Sequence, residues 1–192
     1  MTQAPASIVT KIDSLPQMEA MSTPPAEKTP QGLNLEVHVS AETVSGGLKR
    51  GTVKPNIPTF GAFELFSDEG TMIGGTDSAP APLSYLAAGV AFCFLTHLKG
   101  YAESQNLAID SIKVEQKMKF QSRIPGVTAE MGNQMEGHSN GLETHVLITS
   151  NEDPVTLQKM IDVAHKACMA AQTVITPVPA TTTLHINGEV ST

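Results

Sequence analysis

The chain has 192 residues, 40 % of them hydrophobic, with no Trp and a formal net charge of −7 from 12 Lys and Arg against 19 Asp and Glu. That length suits one domain with a sizeable core. The acidic balance, the two arginines (Arg50 and Arg123) and the two tyrosines argue against nucleic-acid binding and against anionic membrane surfaces. Two cysteines are too few for a disulfide scaffold, so reduced thiols in the cytoplasm are the expectation.

Residues 1–31 are rich in Pro, Thr, Ser and Ala, the composition of a flexible N-terminal arm with one short helix around residues 8–21. They lack the basic start and apolar stretch of a secretory signal. Residues 32–192 are read as a single domain. From Leu33 to Ser40 apolar and polar residues alternate, as in a half-buried strand whose apolar face is covered. Ser45-Gly46-Gly47 makes a turn, and a further extended piece runs from Phe60 to Phe66. A loop with Gly74, Gly75, Pro80 and Pro82 then feeds a long helix, with Pro82 in the first turn, where its missing N–H is not needed. Leu83, Leu86, Val90, Cys93, His97 and Tyr101 recur at helical steps to about Gln105, and Asn106 is a plausible terminator. The apolar run to Leu98 is short of the ~20 residues that cross a bilayer, so a helix buried on most sides is expected.

Residues 109–120 and 144–148 alternate again, and residues 123–141 between them read as a loop. Asp153-Pro154 caps a second helix with Leu157, Ile161, Ala164 and Cys168 on one stripe. A strand near residues 183–188 ends in an Asn-Gly turn. Strands in runs, not in strict alternation with helices, predict an α+β fold.

Cys93 and Cys168 lie in these two apolar helices, 75 residues apart. That is too far for a zinc knuckle or a Cys-x-x-Cys turn. Two readings stand: small buried hydrophobes, the common fate of free cysteine, or a thiol pair that the fold brings together. His97, one turn after Cys93 on the same face, is either a core or interface histidine or an imidazolium that favours a thiolate. His165 stands three residues before Cys168. No His/Cys/Asp set has metal-ligand spacing, so neither a metal nor another cofactor is expected.

The order of elements, the Pro-x-x-x-Leu-Ala-Ala-Gly-x-Ala-x-Cys stretch from Pro82 to Cys93, the Glu143 to Ser150 strand and the helix reaching Ala167-Cys168 resemble the osmotically inducible protein C / organic hydroperoxide resistance (OsmC/Ohr) superfamily. The resemblance covers roughly residues 33–190. It implies antiparallel sheets around two long central helices, in an intertwined homodimer. In the active branches the first cysteine attacks an organic hydroperoxide and becomes a sulfenic acid. The second condenses with it, and a dithiol reductant, often a lipoyl protein, reopens the disulfide. Carried over, Cys93 is the attacker and Cys168 the resolver. Active members place a glutamate ten residues before the first cysteine, paired with an arginine. Here Leu83 stands at that position with Ser84 beside it, and Arg50 in a Lys-Arg-Gly segment matches the arginine only loosely. Two functions follow from the resemblance: a thiol-dependent peroxidase, with Cys93, Cys168, His97 and Arg50 as site residues, or a non-catalytic dimer that binds a small apolar ligand or senses redox state.

Overall fold

The computed structural model describes residues 6–123 and 135–190. Within them the chain forms two compact units, one of residues 6–86 with 121–123 and 135–138, the other of residues 87–120 and 139–190. Two long strands and the first long helix run through both.

The first unit holds strands β1 (Val9–Ile12), β2 (Glu27–Thr29), β3 (Gly32–Asn34), β4 (Val37–Ser45), β5 (Leu48–Pro55) and β6 (Ala62–Ser67). Four of them make an antiparallel sheet in the order β1-β6-β5-β4, and β2 pairs with β3. The helix expected around residues 8–21 is therefore a strand: Val9–Ile12 runs along β6, with Phe66 N–H donating to Ile8 O at 3.0 Å. The alternation near residue 37 is present as extended structure, but with its faces reversed. His38 is 7 % exposed, while Val37 and Val39 are 56 % and 53 % exposed. Period two puts alternate residues on opposite faces; it does not say which face the rest of the chain covers.

Asp68, after β6, organises the loop leading to the first helix. Its carboxylate is 1 % exposed and accepts from the N–H groups of Glu69, Thr76 and Ser78 and from the hydroxyls of Thr76 and Ser78, at 2.7–3.0 Å. Those five donors hold it ionised well below the usual carboxylate range. Two glycines permit the close packing. A Cβ on Gly75 would lie 1.8 Å from Glu69 O, and one on Gly47 would lie 2.8 Å from both Asp68 Oδ1 and Gly75 Cα. Helix α1 (Pro82–Ser104) starts from this knot, and Tyr85 in its first turn donates to Phe66 O at 2.6 Å.

In the second unit α1 ends where expected. Asn106 adopts φ 53°, and Leu107 N–H reaches back to Ala102 O at 2.9 Å, closing a Schellman turn. Strands β7 (Ile109–Arg123) and β8 (Glu136–Ser150) pair in a two-stranded sheet. Arg123 and residues 136–141 are thus strand, not loop; residues 124–134 of that predicted loop lie outside the described residues. Helix α2 (Pro154–Ala167) begins at Asp153, whose Oδ1 accepts from the N–H groups of Val155 and Thr156 at 3.0 Å. Helix α3 (Met169–Ile175) follows, and the small hairpin of β9 (His185–Ile186) and β10 (Glu189–Val190) turns at Asn187-Gly188, both at positive φ.

The core of this unit is one stripe from each side: Val90, Phe94, Leu98 and Ala102 of α1 against Met160, Ala164, Cys168 and Ala171. Ile112 and Val114 of β7 and Val146 and Ile148 of β8 pack on it. Two expectations change here. Only 17 % of the most apolar 18-residue window of α1 is buried within the chain, and Phe92 is 68 % exposed; burial follows one stripe because a helix lying on a core covers one face. The second long helix is divided at Cys168, which leaves the helical region at ψ 96°.

Two outcomes follow. Leu98→Ala, at a fully buried position, lowers unfolding free energy by roughly 2–5 kcal/mol in urea titration. Asp68 has a folded-state pKa below its ordinary 3.8, so its contribution is complete above about pH 4 and is lost as pH falls further. Thermal melts from pH 7 to about pH 2.5 therefore show a steeper acid decline for the native chain than for Asp68→Asn.

Candidate active site

Cys93 sits midway along α1 and is partly buried, packed against the core stripe; Cys168 is fully buried within it. Residues 75 apart in sequence thus meet through packing. Cys93 packs against the buried cluster that contains Cys168. Both are free thiols.

The break in the helix belongs to this site. Cys168 N–H donates to Ala164 O at 2.9 Å, ending α2, and Cys168 O accepts from Gln172 N–H at 2.9 Å, starting α3. Its Sγ accepts from Ala171 N–H at 3.4 Å and so caps α3. The residue therefore serves as last cap of one helix and first cap of the next. Burial pushes the Cys168 thiol above its ordinary value; the Ala171 N–H opposes this, and the neighbouring Cys93 thiol adds to it. Cys168 is thus a protonated, shielded thiol at neutral pH, beside a more accessible one.

His97 lies one turn beyond Cys93 on α1 and is partly buried. Among the described residues it makes no side-chain hydrogen bond. His165 is exposed; its ring meets Phe94 edge to face, with centroids 6.3 Å apart. Phe94, His165, Leu142, Val146, Ile161 and Ile175 border a cleft of about 270 Å³ next to the cysteine stripe. Sequence reasoning singled out neither this cleft nor the cap made by Cys168, because both depend on residues far apart in the chain.

Arg50 belongs to the first unit. It stands opposite Glu42 in the β4–β5 register, and its Nε (3.0 Å) and Nη2 both donate to Glu42 Oε1. Leu83, where the resemblance calls for a glutamate, is 50 % exposed in the first turn of α1. Its side chain offers nothing to an arginine.

The comparisons with known proteins bear on this arrangement. The family model described as "OsmC-like protein" matches residues 75–183, more than half the chain and both cysteines. The chain belongs to the OsmC family. Among solved structures, this OsmC-family chain is similar to an OsmC-like hydroperoxide resistance protein from Jannaschia sp. CCS1, at 22 % identity and TM-score 0.50, covering 81 % of this chain and 97 % of that one. Another solved chain aligns at TM-score 0.52 and 12 % identity, over 71 % of this chain and 88 % of that one. An organic hydroperoxide resistance protein OsmC from Legionella pneumophila aligns at 19 % identity and TM-score 0.48, over 73 % and 90 %. At these identities the likeness concerns the fold. No curated protein matches the sequence.

The asymmetry of the thiols has a direct readout. Iodoacetamide at neutral pH labels Cys93 first, while Cys168 is labelled only after unfolding, as peptide mass spectrometry would record.

Proposed function

We propose that the protein is a thiol-dependent peroxidase of the OsmC family, acting on organic hydroperoxides or hydrogen peroxide in the cytoplasm. The observation that carries this reading is a partly exposed thiol packed against the core cluster that holds a buried one. Only a thiolate attacks peroxide oxygen quickly, and it needs access; a sulfenic acid needs a second thiol at hand to stay on the reversible rung of oxidation. Cys93 has the access and Cys168 is the second thiol.

The chemistry balances in three steps. The Cys93 thiolate attacks one peroxide oxygen, the O–O bond breaks, and the alcohol leaves with a proton, giving Cys93–SOH. The Cys168 sulfur then attacks the Cys93 sulfur; the S–S bond forms, and the hydroxyl leaves as water with the Cys168 proton. A dithiol, a lipoyl group being the type the family resemblance implies, reduces the disulfide by exchange and becomes a disulfide itself. His97 is the one basic side chain a single turn from Cys93 on α1, and in this reading it favours the thiolate in place of the missing glutamate–arginine pair. Arg50, bound to Glu42, must leave that partner to take any part.

The reading includes a homodimer. Leu86, Phe92, Val37 and Val39 are exposed apolar side chains in a single chain. The length and composition of α1 would also allow it to cross a membrane; the family membership favours a second copy as the cover. The other function, a non-catalytic dimer that binds a small apolar ligand, draws support from Leu83 in place of the glutamate and from the cleft beside Phe94.

One equivalent of cumene hydroperoxide removes two thiols per chain within seconds to minutes, and the intact mass falls by two hydrogens. Cys93→Ser abolishes this, and Cys168→Ser leaves a sulfenic acid that dimedone traps. Unchanged thiol titres at millimolar peroxide would reject the peroxidase and leave the binding protein. His97→Gln shifts the pH profile of Cys93 alkylation to higher pH; an unchanged profile removes His97 from the site. Light scattering at micromolar protein gives twice the chain mass, and a monomer mass would reject the dimer.

A further inference from the structure

A second candidate site lies wholly in the first unit and outside the residues matched by the family model. Residues 14–25 pass across the ends of β4 and β5 and leave a cleft of about 370 Å³. One wall is fixed by Asn56. Its Nδ2 donates to Pro24 O at 3.0 Å and its Oδ1 accepts from Glu36 N–H at 2.9 Å. Its backbone carbonyl accepts from Ala26 N–H at 3.0 Å, and its own N–H donates to Glu36 O at 2.9 Å. Two of these bonds hold the N-terminal segment, and the two to Glu36 fix Asn56 itself, so the wall is preformed.

The ionisable groups that line the cleft are both basic. His38 and Lys54 are direct partners across β4 and β5, and both line it. Among the described residues no carboxylate lies within ion-pairing distance of Lys54, although the chain carries a net charge of −7. His38 is more than nine-tenths buried, an unusual place for an imidazole on an otherwise exposed strand. Its Nε2 is held by Glu36 Oε2 at 2.6 Å. Among the described residues the other ring nitrogen, Nδ1, has no hydrogen-bond partner, and it is not fully buried. With Nε2 turned to Glu36, which does not line the cleft, Nδ1 is the ring atom left for a ligand. Ser14 adds a hydroxyl, and Pro24, Pro25, Pro55 and Pro58 supply rigid apolar sides.

We propose that this cleft binds a small monocarboxylate with an apolar body. Lys54 supplies the countercharge. Where a carboxyl group and Nδ1 hold one proton between them, the pair is hydrogen-bonded whichever side carries it. One unpaired cation beside the Glu36 carboxylate suits a single negative charge and disfavours a phosphate ester with nearly two. No arginine lines the cleft to offer the bidentate fork that phosphate sites favour. Since about 150 Å³ of apolar cavity takes benzene, 370 Å³ has room for an aromatic or short-chain acid and little more. The proline walls lose no side-chain freedom when the ligand packs on them.

Titration calorimetry of the full chain with benzoate, benzyl alcohol and phenyl phosphate tests this. Benzoate is expected to saturate one site per chain, with benzyl alcohol and phenyl phosphate each roughly tenfold weaker or more. Lys54→Gln and His38→Gln each weaken benzoate by roughly tenfold or more, with melting curves taken alongside to certify the fold. In the native chain the His38 ring proton resonances move along the same saturation curve. Absence of saturable benzoate binding at about 10 mM, equal affinity for the alcohol, tighter binding of phenyl phosphate, or full affinity in Lys54→Gln would each overturn the proposal. The test does not involve the cysteines, so its outcome is independent of the peroxidase reading.

Discussion

The stripe of Val90, Phe94, Leu98 and Ala102 along α1 meets the stripe of Met160, Ala164, Cys168 and Ala171, and the candidate redox site exists because of that contact. Cys93 lies one residue off the α1 stripe, so it is neither sealed in the core nor fully in water. Cys168 lies on its own stripe and is sealed. The difference in access between two identical side chains is therefore a matter of helical phase, set by where each residue falls in a period of 3.6.

The interruption between α2 and α3 serves the same site. An unbroken helix would give the Ala171 N–H to the carbonyl four residues back and leave the sulfur as one more core atom. Leaving the helical region at Cys168 lets the sulfur accept the Ala171 N–H, a donor that would otherwise lack a partner in the first turn of α3. The sulfur is thereby held in one position next to its partner. The cost of the break is small, because Ala164 O and Gln172 N–H still bond to the Cys168 backbone.

The first unit follows a different logic, with polar groups in place of an apolar stripe. Asp68 gathers five donors from its loop and Asn56 anchors the N-terminal segment; neither role requires a continuous hydrophobic surface. A buried carboxylate is tolerable only when its lone pairs are filled, and the loop from Glu69 to Ser78 is folded so as to fill them. Gly47 and Gly75 are needed because the turn and the loop approach closer than any Cβ allows. Arg50 and Glu42, by contrast, form a pair at the exposed surface, where such pairs contribute little to stability.

Local pattern was enough for the elements whose signals are local: the start of α1 at Pro82, its stop at Asn106, the Asp153 cap, the Asn187-Gly188 turn and the α+β class. It was enough also to single out both cysteines, because their motif is carried by neighbouring residues. It failed for β1, whose Val9–Ile12 is extended because β6 offers it a ladder of hydrogen bonds, and for the extension of β7 and β8 into the expected loop, where pairing overrides composition. The division of the second helix left no mark in its alanine-rich run, and the cleft beside His38 none in the strand that carries it. Periodicity reports which residues share a face; which face is covered, and by what, is fixed only when distant segments pack. The sequence by itself therefore determined the elements whose signals are local and named the two thiols, and only the tertiary structure decided that Cys93 packs on the cluster holding Cys168, that Cys168 is shielded, and that Arg50 is bound to Glu42.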